Sequence, residues 1–101
     1  MNISFFEVAE LELDDAFKHY ESIQQGLGFR FISEVEFSIA RIIKFPNSYA
    51  EIGGHSHRCL VHKFPYGLIY QYLETQQEIL VVAISHLHRK PEYWLNRLKT
   101  Q

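Results

Sequence analysis

Three basic side chains in the second half of the sequence are the first candidates for chemistry. Arg58 opens a strand-like stretch, and His86 and Arg89 directly follow another apolar stretch. If these stretches are neighbours in one sheet, the three side chains can meet near its edge and bind a phosphate, because guanidinium groups bind phosphate oxygens bidentately and histidine titrates near neutral pH. The alternative, which the spacing alone favours, is that both arginines pair with surface acids and His86 is an ordinary histidine at a strand end.

Aromatic side chains supply a second set of candidates. Tyr93 and Trp94 lie in a predicted C-terminal helix, where they would either stack on a nucleic-acid base or anchor the helix to the sheet. We interpret Trp94 as an anchor and leave both interpretations open for Tyr93. Tyr70 and Tyr72 share one face of their strand, because successive side chains alternate. That face is either core or a surface for a partner.

Metal binding and thiol chemistry have little support in the sequence. The pairs His55/His57 and His86/His88 have a chelating spacing, but no carboxylate or thiolate stands close enough to complete a ligand set. Cys59 is the single cysteine, which excludes a disulfide scaffold, and it has no obvious activating neighbour. Glycine-rich nucleotide-binding motifs are also absent. We therefore predict no metal and no cofactor.

Length and composition limit the size and the class of the protein that positions these residues. The 101 residues support one domain, residues 1–101, and a hydrophobic content of 47% excludes wholesale disorder. There is no bilayer-spanning apolar run and no signal peptide, so we expect a cytoplasmic protein without a membrane partner. The net charge of −2 is uneven: residues 1–57 hold nine acidic and four basic side chains, whereas residues 58–101 hold three and six. The C-terminal half is therefore the one that would face an anion.

Hydrophobic periodicity predicts the elements. Residues 2–6 form a short strand, and apolar residues at three- and four-residue steps predict two helices separated near Gly26, the second ended by Pro46. Residues 47–57 are interpreted as a loop. Strands are predicted at 58–64, 68–74 and 79–85, and a short helix at 91–98.

The resulting order, β-α-α-β-β-β-α, predicts an α+β fold. The two helices should form a hairpin packed on one face of an antiparallel sheet, because short turns join the later strands. The nearly continuous apolar run from Ile79 to Ile84 should be the central strand, buried on both faces.

The strand half resembles the RelE/ParE superfamily of toxins. The residues that carry the resemblance are Arg58, the Phe-Pro-Tyr motif and tyrosine strand at 64–70, and the apolar strand at 79–91 that ends in H-x-x-R-x-P. Two helices upstream of Arg58 also fit. The resemblance implies a compact α+β toxin of a type II toxin–antitoxin pair, bound by a cognate antitoxin, as a homodimer or a toxin–antitoxin hetero-oligomer.

The resemblance implies one of two activities. RelE-like members cleave mRNA on the ribosome, and the catalytic residues would then be Arg58, His86, Arg89 and Tyr93. ParE-like members poison DNA gyrase and have no assigned nuclease residues; Tyr70, Tyr72 and Trp94 are our candidates for partner binding. A net charge of −2 and few lysines before Arg58 argue against a ribosomal nuclease. We expect a ParE-like gyrase poison, with a ribosome-dependent endoribonuclease and a non-toxic antitoxin-binding module as alternatives.

Overall fold

Two helices and a five-stranded sheet make up residues 1–100, the part of the chain that the computed structural model describes. The elements are β1 (Asn2–Phe5), α1 (Glu7–Ile23), α2 (Leu27–Lys44), β2 (Ala50–Gly53), β3 (Ser56–Leu60), β4 (Tyr66–Leu73), β5 (Glu78–His86) and the 3-10 helix η1 (Leu95–Thr100). Within residues 1–100, neither helix combines the length and apolar character needed to cross a membrane. The predicted α+β class is confirmed.

The sheet is mixed rather than antiparallel throughout. Its strand order is β1-β5-β4-β3-β2, and every neighbouring pair is antiparallel except β1 and β5. The first strand thus pairs with the last, with Ile3 opposite Ile79. A parallel pair requires a long crossover connection. Here the two helices and three strands between β1 and β5 provide it.

The last strand is buried on both faces, as predicted, although β4 rather than β5 occupies the middle of the sheet. On the face covered by the helices, Val81 and Ile84 join the main core with Phe31 of α2. On the opposite face, Val82 and Ala83 pack in a smaller cluster with Trp94. A strand covered on both sides is apolar almost without interruption.

The helical hairpin closes through a tight contact between its two helices. The carboxylate of Glu21 accepts hydrogen bonds from the backbone N–H groups of Gly26 and Gly28, each at 2.9 Å. A Cβ atom at position 28 would lie 2.7 Å from the carbonyl oxygen of Phe17, so a glycine is required there for close approach.

Residues 47–57, predicted as a loop, contain a strand and a hairpin turn. β2 pairs antiparallel with β3, and the turn at Gly53, Gly54 and His55 has φ values of 104°, 57° and 59°. Glycine adopts positive φ without steric cost, which explains the Gly-Gly pair. β2 was not predicted because it is a four-residue edge strand in which only Ile52 is partly buried. It therefore lacks the alternating apolar pattern that indicates a strand.

The C-terminal segment is a turn followed by η1, rather than the predicted helix over 91–98. Trp94 is 3% exposed and packs against Ile69, Val82 and Ala83, so it anchors this segment to the sheet. Leu95 and Leu98 contact the β2–β3 turn at Gly54, where an added Cβ atom would lie 3.0 Å from the side chain of Leu95.

The two strand tyrosines differ in position. Tyr70 is 0% exposed, and its hydroxyl donates a hydrogen bond to the carbonyl oxygen of Pro46 at 2.7 Å. Burial raises the pKa of Tyr70 well above its ordinary value. Tyr72 is partly buried, and its hydroxyl accepts a hydrogen bond from Gln77 at 3.3 Å. Tyr70 is therefore a core residue with no exposed surface for a partner. Tyr72 retains exposed surface that a partner could contact.

Replacing Tyr70 with phenylalanine should lower the free energy of unfolding by about 1 kcal/mol, because the Pro46 carbonyl loses its donor. Tyr72→Phe is the matched control and should change it by less than about 0.5 kcal/mol, since it loses an exposed hydrogen bond. Urea denaturation of both variants measures the difference. Equal losses would show that the Tyr70 hydroxyl does not stabilise the core.

Candidate functional site

The four residues predicted for a nuclease site line one cavity. This central cavity, of about 220 Å³, lies where β5 ends and is bordered by Arg58, His86, Arg89 and Tyr93. Lys90 adds another cation to its wall. The remaining lining residues are Ile52, Ile69, Ser85, Leu87, Pro91, Glu92 and Trp94. The expected meeting of these side chains therefore occurs, with β4 lying between the strands of Arg58 and His86.

Arg58 reaches the cavity by crossing a glycine on the neighbouring strand. In the β3–β4–β5 register Arg58 is opposite Ile69, and Gly67 is opposite Ser85. A Cβ atom at Gly67 would lie 3.0 Å from Cγ and 3.1 Å from Cδ of Arg58. Gly67 has no positive φ, so its role is to leave space for the arginine side chain. Sequence reasoning missed this residue, which stood in a predicted turn.

The turn after β5 orients His86 and Arg89. The N–H of Arg89 donates to the carbonyl oxygen of His86, and the N–H of His88 donates to Nδ1 of His86, each at 3.0 Å. Nδ1 of His86 is therefore an acceptor, and in the neutral ring the proton lies on Nε2. The ring also meets Tyr66 edge to face, with centroids 5.0 Å apart.

The ring of Tyr93 packs against the guanidinium group of Arg89. The guanidinium carbon of Arg89 lies 3.9 Å from the centre of the Tyr93 ring, and that of Arg97 lies 5.1 Å away. The Tyr93 hydroxyl donates to Oε2 of Glu12 at 2.7 Å. Burial, and then this hydrogen bond, raise the pKa of Tyr93. Tyr93 is thus a fixed hydrogen-bond donor whose ring stacks under a guanidinium group.

Glu12 is the central residue that sequence analysis missed. Its carboxylate accepts two hydrogen bonds from Arg97, at 2.8 and 2.9 Å, and one from the backbone N–H of Ile84 at 3.0 Å. Arg97 also donates to the carbonyl oxygen of Val82 at 3.0 Å. β1 ends at Phe5, so these two side chains satisfy backbone groups of β5 beyond the last β1 pair. We call Glu12, Tyr93 and Arg97 the clamp.

The cations of the central cavity have no carboxylate partner within residues 1–100. The ion pairs in this part of the chain are Lys18–Asp14, Lys63–Glu34 and Arg97–Glu12. The alternative that Arg58 and Arg89 pair with surface acids is therefore wrong. Glu92, with φ of 70°, is the one acidic residue lining the cavity. The arrangement can bind an anion, since its positive charge is not neutralised internally.

Among the metal and thiol candidates, His86 lines the central cavity, whereas His57 and Cys59 lie outside it. Across residues 1–100 no group of three or more histidine, cysteine, aspartate or glutamate side chains could hold a metal ion. His57 Nδ1 lies 2.8 Å from the carbonyl oxygen of Tyr49, and the ring stacks on Tyr70. Cys59 is buried, and burial raises the pKa of its thiol. A buried thiol with a raised pKa is a poor nucleophile.

Comparison with known proteins identifies chains with a similar fold. A search of curated proteins finds no match. Among solved structures, the chain is similar to one from the chromosomal ParDE toxin–antitoxin system of P. aeruginosa, with a TM-score of 0.73, 14% identity, and coverage of 87% of this chain and 97% of that one. It is also similar to the isolated E. coli RelE toxin, with a TM-score of 0.54, 11% identity, and coverage of 99% and 98%.

A family model also matches the chain at the level of sequence. The model of the ParE toxin of the type II toxin–antitoxin system parDE matches residues 3–91, which contain both helices and every strand from β2 to β5. The structural matches share the fold at low sequence identity, as is common for proteins that keep an architecture and vary its surface. The chain therefore belongs to the ParE toxin family of type II toxin–antitoxin systems, within the RelE/ParE superfamily.

Proposed function

We propose that the protein inhibits growth by binding and poisoning DNA gyrase, and that a cognate antitoxin neutralises it. The main support for this proposal is the hydrogen bonding of the Tyr93 hydroxyl. A tyrosine that acts as the general acid or base of RNA cleavage must exchange a proton with the substrate, but the Tyr93 hydroxyl donates to Glu12 and its pKa is raised. The central cavity thus contains groups that bind an anion while its tyrosine is used for support.

The histidine in the cavity gives limited support for cleavage. RNA cleavage by a 2′-hydroxyl needs both a general base and a general acid. His86 is the one imidazole lining the cavity, and its Nδ1 accepts a hydrogen bond from the His88 N–H. Because Nδ1 is an acceptor, the neutral ring presents only the Nε2–H donor to the cavity, which suits an anion-binding role for His86. The ParE family membership points in the same direction.

An endoribonuclease is the second candidate function, and one observation favours it. Arg58, His86, Arg89 and Tyr93 converge on one cavity, as a ribosomal nuclease of the RelE type would require. Primer extension on translated mRNA tests this candidate, because A-site cuts should appear and should disappear with Arg58→Ala and Arg89→Ala.

The gyrase proposal is tested with purified protein in a DNA supercoiling assay. We expect inhibition of supercoiling and accumulation of cleaved DNA. Intact activity of gyrase at a large molar excess of the protein would reject the proposal. Inducible expression without an antitoxin gives a second readout, and normal growth would instead support the non-toxic antitoxin-binding module.

Tyr93→Phe separates binding from cleavage within the same cavity. We expect this variant to keep its inhibitory potency within about twofold, because the ring that supports Arg89 is retained, and to lose about 1 kcal/mol of stability with the hydrogen bond to Glu12. Supercoiling inhibition and primer extension are measured on the same preparations. Growth arrest with A-site cuts that vanish in Tyr93→Phe would overturn the binding role and favour the nuclease.

Exposed apolar side chains support the antitoxin part of the proposal. Phe29 and Phe37 lie eight residues apart on α2 and are 63% and 59% exposed, and Phe45 and Leu60 are about half exposed. Exposed aromatic side chains on so small a domain are typical of a surface that a partner covers. Co-expression of a short open reading frame adjacent to this gene should restore growth if it encodes the antitoxin.

A further inference from the structure

The turn that follows β5 is closed by a side chain as well as by its backbone. The carbonyl oxygen of His86 accepts a hydrogen bond from the N–H of Arg89, and Nδ1 of His86 accepts one from the N–H of His88, each at 3.0 Å. The N–H of Leu87 donates to the carbonyl oxygen of Pro65 at 2.9 Å, which fixes the turn to the residue before β4. Nδ1 of His86 therefore takes the place that the side-chain oxygen of asparagine or aspartate takes in an Asx turn.

This turn determines the position of Arg89 in the central cavity. The backbone of Arg89 is held by the carbonyl oxygen of His86, and its guanidinium carbon lies 3.9 Å from the centre of the Tyr93 ring. A change in the turn moves the backbone from which the Arg89 side chain extends, and the contact with Tyr93 depends on that backbone. The acceptor on His86 is therefore one of the groups that position Arg89.

Protonation of His86 is incompatible with the hydrogen bond that its ring makes to the turn. A histidine that gains a proton carries an N–H on both ring nitrogens. The backbone N–H of His88 can only donate, so a protonated Nδ1 would place two donors against each other. Histidine is the side chain that ordinarily changes its charge between about pH 5 and pH 8. A modest fall in pH is therefore sufficient to break the bond.

The charged and titratable groups around His86 act in the same direction. They are Tyr66 of β4, Arg58 of β3, His88, Arg89 and Lys90 of the turn, and Glu92 and Tyr93 of the C-terminal segment. Three of these groups are cations, and Glu92 is the one acid that lines the cavity. The ring of His88 is centred 4.9 Å from that of His86. An imidazolium group at His86 would therefore face more positive than negative charge.

The phenol and the carboxylate on the helix side do not offset this positive charge. Burial, and then the charge of Glu12 on α1, raise the pKa of Tyr66, so that its hydroxyl stays neutral. The carboxylate of Glu12 is paired with Arg97 at 2.8 Å. The neutral ring is thus the form of His86 that suits the closed turn.

We propose that His86 is a proton-controlled positioning residue for Arg89, which makes the activity of the toxin depend on pH. The neutral ring closes the turn and holds Arg89 against Tyr93, whereas the protonated ring releases the N–H of His88 and displaces Arg89. Acidification therefore lowers the inhibitory potency, although it adds positive charge to the cavity. The effect on potency rests on the proposed inhibition of gyrase, whereas the opening of the turn rests on its geometry alone.

The opening of the turn is tested on the full chain by a pH titration followed in heteronuclear NMR spectra. At neutral pH the ring nitrogen shifts of His86 should identify Nδ1 as the acceptor and Nε2 as the protonated nitrogen. As the pH falls, the amide signal of His88 and the Nε–H signal of Arg89 should follow the titration curve of the His86 ring. A proton on Nδ1 at neutral pH, or signals of His88 and Arg89 that do not follow the ring, would overturn the proposal.

The effect on potency is tested in the supercoiling assay at about pH 6.5 and about pH 8, relative to uninhibited gyrase at each pH. We expect the half-inhibitory concentration to rise at least about threefold at the lower pH, an effect in the range of one lost hydrogen bond. His86→Asn replaces Nδ1 with an amide oxygen that can close an Asx turn and does not titrate. Whatever the potency of this variant, it should be the same at both pH values.

His88→Asn is the matched control, because it removes the neighbouring imidazole and keeps the backbone N–H that donates to His86. It should retain the pH dependence of the unmodified protein. A pH dependence that persists in His86→Asn, disappears in His88→Asn or has the opposite sign would overturn the proposal. Equal inhibition at both pH values by the unmodified protein rejects this proposal alone. Absence of inhibition at either pH rejects the gyrase proposal, and the NMR titration then decides whether the turn opens.

Discussion

Replacing Glu12 with alanine should lower the free energy of unfolding by about 3 kcal/mol, the larger of the stability effects expected for this protein. The side chains of Glu12 and Arg97 are 15% and 16% exposed, so the substitution removes a carboxylate that pairs with a largely buried guanidinium group. It also removes the acceptor of the Tyr93 hydroxyl and of the Ile84 N–H. A loss of this size is a large share of the stability of a small domain.

Chemical denaturation of Glu12→Ala beside Asp14→Ala tests this expectation. Asp14 pairs with Lys18 on the exposed surface of the same helix, so its replacement should cost less than about 0.5 kcal/mol. The double variant Glu12→Ala/Arg97→Ala should lose less than the sum of the two single variants, because both single changes break the same ion pair. Similar losses for Glu12→Ala and Asp14→Ala would show that the clamp does not hold the fold.

Replacing Gly67 with alanine should reduce toxin activity more than about tenfold while the protein stays folded. The new Cβ atom would lie 3.0 Å from Cγ of Arg58, and the flexible arginine side chain is what must move. Cγ and Cδ of Arg58 would have to shift, and this shift would displace the guanidinium group from its position in the central cavity. A tenfold loss corresponds to about 1.4 kcal/mol of binding free energy, and truncating an arginine that a bound partner covers commonly costs about 2 kcal/mol or more.

The measurement is the concentration of protein that half-inhibits supercoiling, with circular dichroism to verify folding. Arg58→Ala should show at least the same loss, and Arg30→Ala, an exposed arginine of α2 outside the central cavity, should show none. If Gly67 acts through Arg58, adding Gly67→Ala to Arg58→Ala should cause no further loss. Additive losses would mean that the glycine serves the activity by another route.

The helices and strands that follow from local hydrophobic pattern were predicted from the sequence. Helical periodicity located both helices, and short turns between apolar runs located β4 and β5 well enough to bring Arg58 together with His86 and Arg89. Edge strand β2 was not predictable from alternation, because its four residues are mostly exposed. The Gly-Gly pair was the available signal, since two successive glycines suit a hairpin turn.

What the sequence could not show depends on contacts between distant residues. Nothing local indicates that β1 pairs in parallel with β5, since the register joins residues more than seventy positions apart. Glu12 looked like one of several acids on the solvated face of α1, and only its position opposite the end of β5 gives it four hydrogen-bond donors. Gly67 was likewise interpreted as a turn glycine because its neighbour Arg58 lies on another strand.

The clamp and the β1–β5 pair together determine when the toxin can become active during its own synthesis. β1 has no partner until residues 78–81 exist, and Glu12 gains its hydrogen-bond donors one by one as Ile84, Tyr93 and Arg97 are added. Long-range contacts form late, because the intervening chain must be ordered first. A nascent chain that has not reached Arg97 therefore lacks the completed clamp, so translation should deliver an inert polypeptide that acquires its toxic form only after residue 97 has been added.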